Sequence, residues 1–291
     1  MTAPIHLAPL AAAIGPFADP AFLDVVHAHF PRGELVEAVA EDAVVYLEDV
    51  DGTLVGVGDR DLVDYRSPLG PGALEAMVSV VAGRPLVLDS VPEPAAAAIA
   101  EALESAGRRV DLVVDDTAAV LALPATFGDW LEAIGKKERH ETRRKRRRYT
   151  EHVGPIEVAA FDQPGDRLDE FIALHRSSAG AKGSFMTDDM AAFFADLLAL
   201  EAWSIRALVD PDGAMVAAGF GAGDADGFYL YNSAFDRSHA EASPGVVLIA
   251  ALIEDCIDRG LDRLDFLKGD ESYKFRLGAD PRPLATVRVA G

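Results

Sequence analysis

The chain has 291 residues, half of them hydrophobic and 26% charged, with a formal net charge of −21 at pH 7. That length suits two domains, and the composition excludes a disordered chain. The acidic balance argues against nonspecific binding to genomic DNA, no run reaches the ~18 apolar residues of a membrane span, and a lone cysteine excludes an internal disulfide.

Residues Met1 to Phe17 contain no Lys or Arg, so they lack the basic region of a signal peptide, and cytoplasmic residence is expected. The first half then reads as mixed α/β. A helix is expected over Pro20–Phe30, strands over Leu35–Val39, Val44–Glu48 and Thr53–Gly58, the last two joined by an Asp51-Gly52 turn, and a further strand over Asp61–Tyr65. Helix Ala73–Val81, strand Pro85–Asp89, helix Pro94–Ala106 and strands Arg109–Val114 and Ala118–Leu121 follow.

A single helix is expected from Asp129 to about Glu151. Its apolar residues, Trp130, Leu131 and Ile134, sit in the first turns. Beyond them Lys136 to Arg148 holds nine Lys/Arg and two Glu, leaving −28 for the rest of the chain. Glu141 and Lys145 stand at i,i+4 spacing. The basic residues surround the helix, and they have two readings: pairing with acidic groups of the chain, or an electropositive wall for phosphates to which Arg143 and Arg147 would contribute. The helix serves as a connector (residues 127–152) between an N-terminal domain (1–126) and a C-terminal one (153–291).

The C-terminal part predicts strand Ile156–Phe161, helices Asp166–Ser178 and Asp188–Leu200, and strands Trp203–Val209, Met215–Gly221 and Phe228–Ala234. Turn signals at Asp210–Gly213 and Gly223–Gly227 favour an antiparallel meander. Helix Gly245–Arg259, strand Arg263–Leu267, a short helix Glu271–Leu277 and strand Pro283–Val289 complete it. Cys256 reads as a small core residue of the first of these helices.

Two junctions carry chemistry. Ser243-Pro-Gly245 is suited to start a helix, with Ser243 as cap, Pro244 in the first position and Gly245 admitting an anion close to the backbone. The segment Asp265-Phe-Leu-Lys-Gly-Asp-Glu-Ser-Tyr-Lys-Phe-Arg-Leu-Gly278 follows a strand end, where α/β sheets open to ligands. In it Asp270 and Glu271 are suited to orient a substrate or act as a general base, Tyr273 to act as a general acid, and Lys274 to stabilise an oxyanion or phosphate. Arg276 is suited to hold an acidic substrate group. The bland reading is a surface helix with solvated charges and Tyr273 and Phe275 packed inward. His140, His175 and His239 are isolated in sequence and read as solvated or hydrogen-bonded histidines. No metal-ligand spacing occurs, and no metal is expected.

The β-α-α-β-β-β-α-β-α-β order, Ser243-Pro-Gly245 and the Asp265–Gly278 segment together resemble the GNAT N-acetyltransferase superfamily. Within it they are similar to the FemAB-like branch that includes acetyltransferases associated with cellulose biosynthesis. The resemblance covers most of Phe127–Gly291. It implies a GNAT-like C-terminal domain in tandem with a degenerate GNAT-like N-terminal one. It also implies that strand Phe228–Ala234, with Tyr231, Asn232 and Ser233, carries the pantetheine arm of acetyl-CoA or another acyl-CoA. Ser243, Gly245, Val246 and Val247 would then hold the cofactor pyrophosphate.

The acceptor implied is an amine of a small molecule or a nucleotide-linked cell-envelope precursor. Only Gly245 remains of the usual glycine-rich turn, and the branch includes aminoacyl transferases that use charged tRNA. Aminoacyl transfer from tRNA therefore stands as an alternative, as does a non-catalytic binding or scaffold protein.

Overall fold

A computed structural model describes residues 15–40, 42–165, 167–178 and 180–291. It divides into two compact units, Met1–Ala118 with Arg282–Gly291, and Ala119–Pro281. Most of the Met1–Phe17 stretch and the expected helix start at Asp166 lie outside the described residues.

In the first unit, Asp19 caps helix α1 (Pro20–His29) by accepting from the Ala21 amide at 2.8 Å. Strands β1 (Glu34–Ala40), β2 (Ala43–Val50) and β3 (Thr53–Gly56) form an antiparallel meander. The β2–β3 turn needs left-handed backbone at both central positions, met by Asp51 (φ 51°) and Gly52 (φ 84°). Helix α2 (Ala73–Val81) then leads to β4 (Leu86–Pro92), parallel to β3. Helix α3 (Glu93–Ser105), β5 (Val110–Ala122) and the C-terminal strand β11 (Asp280–Val289) complete a sheet ordered β1-β2-β3-β4-β11-β5.

Two expected strand assignments do not hold. Asp61–Tyr65 is not a strand; it leads into Arg66, whose guanidinium is buried. The two strands expected over Arg109–Leu121 are one. Asp115 and Asp116 do not break it because Asp115 accepts from the Thr286 hydroxyl (2.9 Å) and Asp116 pairs with Arg60 (2.8 Å).

The second unit opens with two helices where one was expected, α4 (Phe127–Ala133) and α5 (Lys136–His152). Ile134 takes extended backbone (ψ 156°), which lets it join Trp130 and Leu131 in the core, and Gly135 starts the next helix. Arg139 then reaches back to the Leu131 and Glu132 carbonyls at the end of α4. Strand β6 (Val158–Phe161), helices α6 (Leu168–Arg176), α7 (Ala181–Phe185) and α8 (Asp188–Leu198), and strands β7 (Trp203–Val209), β8 (Met215–Gly223) and β9 (Gly227–Phe235) follow. The sequence did not suggest α7.

A 3₁₀ turn (Arg237–Ala242), helix α9 (Pro244–Asp258), strand β10 (Arg263–Lys268) and helix α10 (Ser272–Arg276) complete the unit. Its strands are ordered β6-β7-β8-β9-β10, antiparallel except for the parallel pair β9–β10. The meander turns form where their residues predict. Asp210 accepts from the Asp212 and Ala214 amides, and Asp224 from those of Asp226 and Gly227.

Helix α9 is buried over most of its circumference, which explains its nearly unbroken apolar sequence. It shares a core with Trp130, Leu131, Ile134 and Tyr149, and Cys256 lies in that core as expected, its thiol pushed up to about 12 by burial. The Tyr149 phenol is likewise pushed up to about 12 by burial. Across the sheet Phe171, Phe194, Trp203 and Phe220 form an aromatic layer, with Phe194 and Phe220 centroids 4.6 Å apart.

Candidate active site

Strands β9 and β10 run parallel but are paired only at Arg263–Gly227, Leu264–Phe228 and Asp265–Tyr229. Beyond these three pairs both strands continue, β9 to Phe235 and β10 to Lys268, without pairing to each other, and this parting is called the cleft below. Strand β9 carries a bulge in this stretch. Phe220 faces Asn232 and Gly221 faces Leu230, which leaves Tyr231 as the extra residue. A Cβ at Gly221 would lie 2.2 Å from the Tyr229 carbonyl oxygen, so only glycine permits this approach. Tyr231, Asn232 and Ser233 are all half-buried along the unpaired stretch, and the Tyr231 ring packs edge-on to Trp203 at 5.3 Å.

Because the strands are parallel, both chain exits meet at one end of the cleft. From β9 the 3₁₀ turn leads into α9. Ser243 does not cap this helix with its side chain; it adopts left-handed backbone (φ 55°), and its carbonyl accepts from the Val246 and Val247 amides at 3.1 and 3.2 Å. Gly245 has a packing role as well, since a Cβ there would stand 3.0 Å from the Phe235 ring. Val246 is exposed and Val247 buried.

From β10 the chain turns sharply. Leu267 (φ 60°) and Gly269 (φ 111°) both have left-handed backbone, and buried Asp265 fixes the turn by accepting from the Leu267 amide at 2.8 Å. Lys274 is buried beneath this turn. Its ammonium donates to the carbonyls of Lys268 (2.7 Å), Gly269 (3.3 Å) and Leu267 (3.4 Å) and pairs with Glu271 at 2.9 Å. With its protons so engaged, Lys274 holds the β10–α10 connection and does not point a free charge into the cleft. Burial, the largest single influence, acts to raise the Glu271 pKa, but the Lys274 hydrogen bond, a backbone hydrogen bond and the Lys274 charge together outweigh it and hold the carboxyl below its usual range.

Tyr273 is on the same short helix, 40% exposed, with its ring edge-on to Phe266. Burial, then the charge of Glu271, raise its pKa, so the phenol keeps its proton through neutral pH. Asp270 is exposed and, among the described residues, forms no ion pair. Arg276 is tied to Glu138 of α5 at 3.2 Å and to the Ser272 hydroxyl at 2.8 Å.

The basic residues of α5 are sorted by their partners. Arg144 pairs with Glu141, the partner the sequence assigned to Lys145; Arg146 reaches Glu254 of α9; Arg147 and Arg148 approach Glu151 and Glu241 at 3.8 and 3.6 Å. Lys136, Arg139, His140 and Arg143 line an open surface groove with Glu132. The structure therefore places Arg143 in this groove and gives Arg147 a loose, exposed partner. His175 is buried against Phe171 and Phe185, and His239 stands 4.0 Å from Asp236. Among the described residues no cluster of three or more His, Cys, Asp or Glu could hold a metal, and no helix is long and apolar enough to cross a membrane.

The model of the acetyltransferase (GNAT) domain family matches residues 136–275. No curated protein sequence matches the chain. Among solved structures, a conserved protein of unknown function from Bacteroides thetaiotaomicron VPI-5482 superposes with a TM-score of 0.65 at 13% identity, covering 96% of this chain and 92% of that one. L-PGS from Bacillus licheniformis gives 0.63 at 13% identity over 94% and 92%, and FemX gives 0.63 at 10% over 93% and 91%. At these identities the likeness is one of fold.

Proposed function

We propose that this chain, whose residues 136–275 are a GNAT acetyltransferase domain of FemAB-like fold, transfers an acyl group from an acyl-CoA to a primary amine of a small molecule or cell-envelope precursor. The observation that carries this reading is the parting of β9 and β10 after three paired residues, at the end where Tyr273 and the start of α9 also lie. An extended pantetheine arm fits a cleft between two strands, because the unpaired backbone of Tyr231, Asn232 and Ser233 offers it the hydrogen bonds a neighbouring strand would. Ser243, Gly245, Val246 and Val247 stand where the diphosphate emerges.

The reaction is direct transfer. The amine nitrogen attacks the thioester carbonyl, the carbon–sulfur bond breaks, and the sulfur leaves as a thiolate that takes the Tyr273 proton. Asp270 accepts the proton shed by the amine, while Glu271 and Lys274 keep the connection that carries both groups in place.

A second reading has aminoacyl-tRNA as the donor, favoured by the sparse glycines at the α9 entry and by exposed Arg143 and Arg147. Thiol release from acetyl-CoA, measured across a panel of amines, separates the two. The acyl-CoA reading expects release that depends on the amine added. Release that never exceeds background hydrolysis, together with salt-sensitive binding of charged tRNA that is lost on neutralising Arg143 and Arg147, would replace it with the second.

A further inference from the structure

Glu138, Glu141, Lys145 and Arg148 recur along α5 at intervals of three, four and three, so they lie on one side of the helix. The two outer members are fastened to the segments that flank the cleft mouth. Glu138 pairs with Arg276 of α10 at 3.2 Å, and Arg148 faces Glu241 of the 3₁₀ turn before α9 at 3.6 Å. Helix α5 thus spans the mouth, and the inner members, Glu141 and Lys145, face the space between the two fastenings. The Glu141 carboxylate accepts from two nitrogens of Arg144, Nε and Nη2, at 3.2 and 2.7 Å. Lys145 is half-buried and, among the described residues, has no ion pair.

We propose that Lys145, seconded by Arg148, binds a phosphate group of the acyl donor at the cleft mouth. This rests on the reading of the β9–β10 gap as the donor cleft. Anion binding at such a mouth is ordinarily the work of amides in a glycine-rich turn. Here the entry to α9 keeps one glycine, Gly245, packed on Phe235, and the Val246 and Val247 amides are turned toward the Ser243 carbonyl. A side-chain cation delivered from α5 takes over that task. The chemistry recognised is a phosphate ester on an acyl carrier, shared by the diphosphate of acyl-CoA and the backbone of an aminoacylated tRNA.

The test compares dissociation constants of the full chain for acetyl-CoA and for S-acetylpantetheine, which keeps the thioester arm and lacks the nucleotide phosphates. Lys145→Ala should bind acetyl-CoA about tenfold more weakly and S-acetylpantetheine as before, and Lys145→Arg should restore most of the loss. Lys136→Ala, nine positions away and so about 180° around the helix, should leave both constants unchanged. Wild-type acetyl-CoA affinity in Lys145→Ala, or equal weakening of both ligands, would overturn the assignment while leaving the donor cleft standing. Weakened binding of aminoacylated tRNA, in a chain that ignores acetyl-CoA, would support it with a polynucleotide as the phosphate source. A wild-type chain that binds none of these probes overturns both the cleft reading and this inference.

Discussion

Replacing Lys274 with methionine is expected to lower kcat by about 100-fold and the melting temperature by about 4–8 °C. The residue is 3% exposed, and its ammonium gathers three consecutive carbonyls, those of Leu267, Lys268 and Gly269. Methionine matches the volume but leaves those oxygens without a donor, at a cost of roughly 2 kcal/mol. The turn they form, with left-handed backbone at Leu267 and Gly269, positions α10 and hence Tyr273. A reacting group displaced by about an ångström loses about two orders of magnitude in rate. Arginine should not rescue, because a planar fork cannot converge on three carbonyls as an ammonium does. Thermal unfolding and steady-state kinetics on one preparation check both halves: a variant of normal stability and normal rate contradicts the positioning role.

Tyr273→Phe is expected to lower kcat by about 100-fold with little change in KM or melting temperature. The ring contact to Phe266 survives the substitution, so only the proton is lost. The sign of the pH dependence follows from the phenol's surroundings. Burial and the Glu271 charge raise its pKa above the ordinary phenol value of about 10, so the acid form is fully present at neutral pH and is lost only as pH rises through that raised value. The wild-type rate should therefore show no loss from this group up to about pH 10, and the decline above it should be missing in Tyr273→Phe. A variant that keeps the wild-type rate, or a wild-type alkaline limb centred well below 10, would remove Tyr273 from the proton-transfer role.

How much of this was legible in the sequence depended on how local the cause was. The turns at Asp51-Gly52 and Asp210–Gly213 bind their own backbone, and the meanders they create could be read directly. The break at Gly135 could not, since it exists to let Ile134 reach a core completed by α9, more than a hundred positions later. The doublet Asp115-Asp116 read as an interruption because its partners, Thr286 and Arg60, are distant in the chain.

The candidate site divides the same way. That the Ser243 and Tyr273 segments meet followed from element order, because parallel strands deliver their exits to one end. The engagement of Lys274 depends on carbonyls turned inward by left-handed backbone at Leu267, a residue type that gives no sign of it. Among the α5 cations the sequence singled out Arg143 and Arg147. Which of them are neutralised is decided by Glu241 and Glu254, roughly a hundred residues away, and Lys145 stands out only once those pairs are drawn.

The first unit repeats the succession of three antiparallel strands, a helix and a parallel strand, in β1-β2-β3-α2-β4. There Ser90 of β4 has left-handed backbone (φ 58°) at the fifth position of its strand, as Leu267 does in β10. The space past the β3–β4 pairing is partly taken up by a side chain, however, beside a small cavity lined by Tyr46, Gly56, Val57, Arg66 and Met77. Buried Arg66 donates to the Val57 and Gly58 carbonyls and to Asp89, and a Cβ on Gly56 would lie 2.5 Å from its side chain. The acyl-CoA reading therefore expects one donor cleft per chain, in the second unit. Calorimetric titration of the full chain with acetyl-CoA tests it most directly. Saturable binding at one site per chain, unchanged in Arg66→Ala, is the expected result. Two sites per chain, or no heat of binding at millimolar ligand, would contradict it.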